Sequence, residues 1–106
     1  MKSDPILREI VRRIRKEVRP QKIVLFGSRA RGQARPDSDY DILVIQETRR
    51  PWYRRTPGLY GALASIPAEV EVVVYTPREV REWEDASRAF VTTALREGRV
   101  LYEDQR

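Results

Sequence analysis

Three short runs rich in β-branched and apolar residues set the frame for this chain. Residues 23–26 read Ile-Val-Leu-Phe and stop at Gly27. Residues 40–46 contain the unbroken Ile42-Leu43-Val44-Ile45. Residues 70–75 place Val70, Val72 and Val74 in alternation with Glu71, Val73 and Tyr75. Each run is short and bounded by turn residues, which predicts three β-strands. Helical signals fill the spaces between them. Ile6, Leu7, Ile10, Val11, Ile14 and Val18 recur at three- and four-residue spacing, with Asp4 as N-cap, Pro5 at the first helical position and Pro20 beyond the end. Residues 28–32 predict a turn or a short helix. Thr56-Pro57 opens a helix carrying Leu59, Tyr60, Leu63 and Ile66 on one side. Thr76-Pro77-Arg78-Glu79 has the form of a capping box. A last helix over 87–97 closes at Gly98 as its C′ residue, followed by a short strand around 100–102. The order is α-β-(α)-β-α-β-α-α-β, without internal repeat. With 106 residues there is room for one core, so the reading is a single mixed α/β (α+β) domain over 1–106, a small sheet flanked by helices.

Composition narrows the chemistry before any motif is considered. The chain has no cysteine and no histidine. Disulfides, thiol nucleophiles, Cys/His zinc sites and every imidazole-based triad are excluded, so acid–base or metal chemistry rests on carboxylates, hydroxyls, Lys or Arg. A formal charge of +5 favours polyanionic partners and equally suits a well-solvated surface. No apolar run approaches the ~20 residues of a membrane span, and the opening Met1-Lys2-Ser3-Asp4-Pro5 has no signal-like apolar core. The expected location is cytoplasmic.

The informative stretch runs from Gly27-Ser28-Arg29-Ala30-Arg31-Gly32 to Ser38-Asp39-Tyr40-Asp41. Asp39 and Asp41 stand two apart at the start of a strand, so their side chains share one face with Cα atoms roughly 6–7 Å apart. Two carboxylates so placed repel unless a cation lies between them, and hard oxygen donors suit Mg²⁺ with substrate phosphates completing its shell. An isolated Asp-x-Asp is more often an ordinary surface turn; the apolar run directly after it places this pair at the mouth of a core strand. Gly27 allows close backbone approach, and the Ser28 hydroxyl and N–H could seat a phosphate if a helix begins there. Two rival motifs fail. Gln33 and Ala34 stand where a P-loop needs Lys and Ser/Thr, and Ile42 and Thr48 replace the Gly and Glu of an EF-hand loop.

Gly27-Ser28, ten residues, then Asp39-Tyr40-Asp41 resembles the GSX10DXD signature of minimal nucleotidyltransferases in the polymerase β-like superfamily. The run GSRARGQARPDSDYDILV is similar to MntA-type antitoxins of HEPN/MNT pairs, and the resemblance extends to Val70-Glu71-Val72-Val73-Val74-Tyr75-Thr76-Pro77 and to the segment 97–103. It implies a polymerase β-like nucleotidyltransferase fold. It also implies two Mg²⁺ ions held by Asp39 and Asp41, and phosphate binding by Gly27, Ser28 and Arg29. The family's third carboxylate, usually Asp, matches Glu71, as metal ligand or general base. The implied reaction is transfer of AMP from ATP to a tyrosine of a HEPN-domain toxin. That would make the chain the antitoxin of the pair, working in a hetero-oligomer or as a homodimer.

Two other readings stay open. One is a non-catalytic module that masks its partner by contact. The other, ranked last because no recognition-helix pattern is present, is a basic nucleic-acid binder. The loop 49–55, with Arg49, Arg50, Trp52, Tyr53, Arg54 and Arg55, suits an acidic partner, RNA, or plain solvent.

Overall fold

The structure, a computed structural model, describes residues 4–84 and 90–104. Helix α1 spans Pro5–Glu17, and its start follows from one side chain: Asp4 Oδ1 accepts from the Ile6 and Leu7 amides at 2.9 and 3.3 Å. Strand β1 is Lys22–Phe26, the short helix α2 is Gly27–Ala30, and β2 is Tyr40–Ile45. A single 3₁₀ turn, Trp52–Arg54, precedes α3 at Pro57–Leu63. Strand β3 is Val70–Tyr75, α4 is Pro77–Trp83, α5 is Phe90–Glu97 and β4 is Arg99–Glu103. Residues 87–89 of the expected last helix lie outside the described residues. Both arms of the expected capping box are formed: the Glu79 amide donates to Thr76 Oγ1 and the Thr76 amide to Glu79 Oε1.

The sheet has the order β3-β2-β1-β4. β1 is antiparallel to β2 and β4, whereas β2 and β3 run parallel, which needs a crossover, supplied by α3. Period-2 alternation divides the side chains between two layers. Ile23, Leu25, Tyr40, Ile42, Val44, Val72 and Val74 pack with Ile10 and Ile14 of α1 and Leu59 and Leu63 of α3. Val24, Leu43 and Ile45 pack with Val91 and Ala94 of α5. The central strands β1 and β2 are therefore covered on both faces, which is why they read as unbroken apolar runs.

Two expectations are refined. Ile66 is buried but lies beyond the end of α3, in the turn leading to β3, and Tyr60 is partly exposed. Gly98 follows the last helix without a left-handed backbone. What it requires is space, since a Cβ there would run into the Ala94 carbonyl and lie 2.5 Å from Val24 Cγ1 and 2.9 Å from the Leu25 carbonyl oxygen.

Candidate active site

The register of the sheet brings together residues far apart in sequence. Asp41 stands opposite Phe26 on β1 and opposite Glu71 on β3. Its neighbours Tyr40 and Ile42 are buried in the α1/α3 layer, so Asp41 turns to the other face. Glu71 does the same between Val70 and Val72, as the alternation of β3 demands. Asp39 lies one residue before β2 and is exposed. The site is the end of the sheet on the face that α5 packs against.

Gly27 closes one wall. Its φ is +75°, in the region L-residues avoid, and a Cβ there would overlap the Asp41 carboxylate. The glycine is thus required twice, by its backbone and by the acid packed against it. Ser28 follows in α2, a helix of four residues with no side-chain cap. It comes next on the chain after Gly27, the residue packed against Asp41.

Electrostatics separate Asp41 from its neighbours. Its carboxyl is pushed above the ordinary range, first by burial, then by the negative charges of Glu71 and Asp39 and a hydrogen bond with Glu71; Arg31 opposes the rise. A carboxylate partly withdrawn from water and facing two others is short of positive charge. Among the described residues, no three metal-capable side chains are gathered closely enough to cage an ion. The donor set nevertheless fits Mg²⁺, which takes one or two carboxylates and fills its shell with water and phosphate oxygens.

Arg29, expected at a phosphate, turns its guanidinium elsewhere. Its Nε and Nη2 donate to the Ser38 carbonyl at 3.1 and 2.7 Å, and Nη2 also reaches the Pro36 carbonyl at 3.3 Å. The guanidinium carbon stands 3.9 Å from the centre of the Tyr40 ring. Tyr40 in turn donates its hydroxyl to Asp4 Oδ2 at 2.9 Å. Asp39 therefore sits between two clamped neighbours. Sequence reasoning missed this arrangement because the resemblance implies a phosphate role for the arginine directly after Gly27-Ser28, and nothing in the spacing reveals a guanidinium spent on backbone carbonyls. It also missed the rings beside the site: Phe90 of α5 packs edge-to-face on Phe26 with centroids 5.2 Å apart and stacks on Tyr75 at 6.4 Å.

Against this geometry, comparison with known proteins decides the family. The model of the family described as polymerase beta, nucleotidyltransferase, matches residues 8–106. The chain belongs to that family. Its fold is the polymerase β-like nucleotidyltransferase fold anticipated from the Gly-Ser and Asp-x-Asp signature, and the protein is a nucleotidyltransferase. A solved structure described as the crystal structure of the toxin-antitoxin with AMP-PNP is similar, with a TM-score of 0.66 and 22% identity, over 93% of this chain and 74% of that one. At that identity the likeness is one of fold. Among curated proteins no sequence matches. No helix of the nucleotidyltransferase, among the described residues, is long and apolar enough to cross a membrane.

Proposed function

We propose that this nucleotidyltransferase moves AMP from ATP to a hydroxyl of a protein partner, a tyrosine of a HEPN-domain toxin, and so works as a cytoplasmic antitoxin. The observation that carries the reading is the meeting of Asp41 and Glu71 across the parallel strand pair, with Asp39 within electrostatic reach and Gly27 against the carboxylate. The nucleotide-analogue-bound toxin–antitoxin of the same fold supports the partner class.

Asp39 and Asp41 would hold the two Mg²⁺ ions, which leaves Glu71 for the proton. When bound, the ions supply charge for the triphosphate and acidify the attacking hydroxyl. Gly27 and Ser28 receive the phosphates through backbone N–H and hydroxyl donors. Glu71, the outermost of the acids on an edge strand, takes the hydroxyl proton as that oxygen bonds to the α-phosphorus; the α–β phosphoanhydride bond breaks and pyrophosphate departs. Phe90 offers an aromatic face to the base. Arg29 and Tyr40 keep Asp39 in place.

Intact-mass spectrometry of the partner after incubation with ATP and Mg²⁺ tests the proposal. The expected result is a gain of one adenylate with the wild type and none with Asp39→Asn, whose fold stays intact. Wild-type transfer by that variant refutes the assignment. One observation favours a second reading, contact masking without catalysis: the third acid is the longer Glu, and the three acids do not form a closed cage. Calorimetry separates the two, because Mg²⁺-dependent ATP binding belongs only to the enzyme.

A further inference from the structure

The loop before α3 carries a surface that transfer chemistry does not use. Trp52 and Tyr53, on the 3₁₀ turn, are 75% and 61% exposed and pack edge-to-face with ring centres 5.8 Å apart. The turn is stapled to the fold. The Arg55 side chain, only 9% exposed, donates to the Arg50 carbonyl at 2.9 Å, the Val74 carbonyl at 3.3 Å, and both carboxylate oxygens of Glu79 at 2.7 and 3.2 Å. Two large rings are thus held in water by a rigid support, at a cost in hydrophobic free energy that the described fold does not recover.

Beside the rings runs a groove of about 520 Å³, lined by Trp52, Tyr53, Thr56 and the Val72–Tyr75 stretch of β3. β3 is an edge strand, yet this edge is closed to strand addition. The Tyr60 hydroxyl accepts from the Val72 amide at 2.9 Å, and Arg55 occupies the Val74 carbonyl. Whatever docks here does so through side chains. Arg49, Arg50 and Arg54, on the same loop, are exposed, line a neighbouring hollow and make no ion pair among the described residues; Glu47 is the one acid in the loop, and Glu79 in the groove wall is already paired with Arg55.

From this charge balance we propose that the loop 49–55 and the adjoining β3 groove dock an acidic face of the protein partner, one apolar or aromatic side chain of which enters the groove. Trp, Tyr and Arg are the residues that dominate protein–protein hot spots. A single-stranded nucleic acid is disfavoured, because the rings cross at 89° rather than offering parallel faces for successive bases. Val73 and Tyr75 alternate onto the face that carries Glu71, two and four residues along, or roughly 7 and 13 Å. A partner seated here stands at the border of the carboxylates, where it would present its hydroxyl. The proposal rests on the reading of a protein acceptor.

A random copolymer of glutamate and tyrosine serves as probe, compared with polyglutamate and a short oligouridylate. The expected result is that the mixed copolymer binds about tenfold more tightly than polyglutamate. Trp52→Ala/Tyr53→Ala, with an unchanged melting temperature, erases that difference, and Arg49→Ser/Arg50→Ser/Arg54→Ser weakens both acidic polymers. Equal binding of the two acidic polymers, preference for oligouridylate, self-association of the protein through this loop, or indifference to the ring substitutions each overturns the proposal. Asp41→Asn should bind the copolymer normally. A wild type that binds the copolymer but not Mg²⁺·ATP overturns the catalytic reading and leaves the docking surface standing.

Discussion

Replacing Gly27 by alanine is the sharpest test of the site, because Gly32 supplies an internal control. Both glycines have positive φ, 75° and 72°. Alanine in that region costs about 1–2 kcal/mol at either position. Around Gly32 a new Cβ meets nothing within 4 Å, whereas at Gly27 it overlaps Asp41 Oδ2 and lies 3.1 Å from Asp41 Cγ. Asp41 must leave its rotamer to admit it, adding roughly 0.5–1.5 kcal/mol. Gly27→Ala thus loses about 2–3 kcal/mol, and at 4–8 °C per kcal/mol for a domain near this size it melts roughly 10–20 °C below wild type. Gly32→Ala loses only the backbone part, so the two variants differ by about 1 kcal/mol, or ~4–8 °C. Differential scanning fluorimetry with and without Mg²⁺·ATP reads both effects. Gly32→Ala keeps the ligand-induced rise in melting temperature and Gly27→Ala loses it. If the two variants melt together and respond alike to Mg²⁺·ATP, Asp41 does not sit against Gly27 as a ligand-binding group and the reasoning fails.

Other outcomes follow from the same geometry. Asp41 has a raised folded-state pKa, so its ionised form costs stability above that value and nothing below the unfolded one; Asp41→Asn is therefore more stable than wild type at neutral pH in chelator, the gain vanishing in acid, and thermal melts across pH show whether it does. Glu79 is shifted the opposite way, held below the ordinary range first by the Arg55 hydrogen bond, so its contribution is present above the unfolded pKa and lost as pH falls through the depressed folded one. Arg55→Ala, which strips a largely buried guanidinium from Glu79 and two carbonyls, costs about 2–3 kcal/mol by urea unfolding, discounted for the partial exposure of Glu79. Arg29→Ala lowers transfer about 10–100-fold and raises the Mg²⁺ needed for half-maximal activity, with Lys a poor replacement; a change confined to the ATP KM would instead make Arg29 a phosphate ligand.

The local signals were strong wherever one segment decided its own structure. Asp4-Pro5, Thr76-Pro77-Arg78-Glu79 and the run 42–45 carry their caps, first turns and strand character within a few residues. The pairing of Asp41 with Glu71 was legible only through the family resemblance, because strand order and the parallel crossover are not written in either strand. The role of Gly27 was half visible: a glycine after a strand announces close approach, but not that the approaching group is Asp41. Arg29 and Arg55 were opaque. Each makes three-dimensional bonds to backbone carbonyls, and a carbonyl has no side-chain letter to read.

One carboxylate links the first helical turn to the candidate site. Asp4 uses Oδ1 to seat the α1 amides and Oδ2 to hold the Tyr40 hydroxyl, and Tyr40 is the residue between Asp39 and Asp41. Unwinding at the beginning of that helix is consequently not a local event: each excursion slackens the tether on the strand that presents both aspartates. Amide exchange at Ile6 and Leu7 then becomes a remote gauge of how firmly the two aspartates are held.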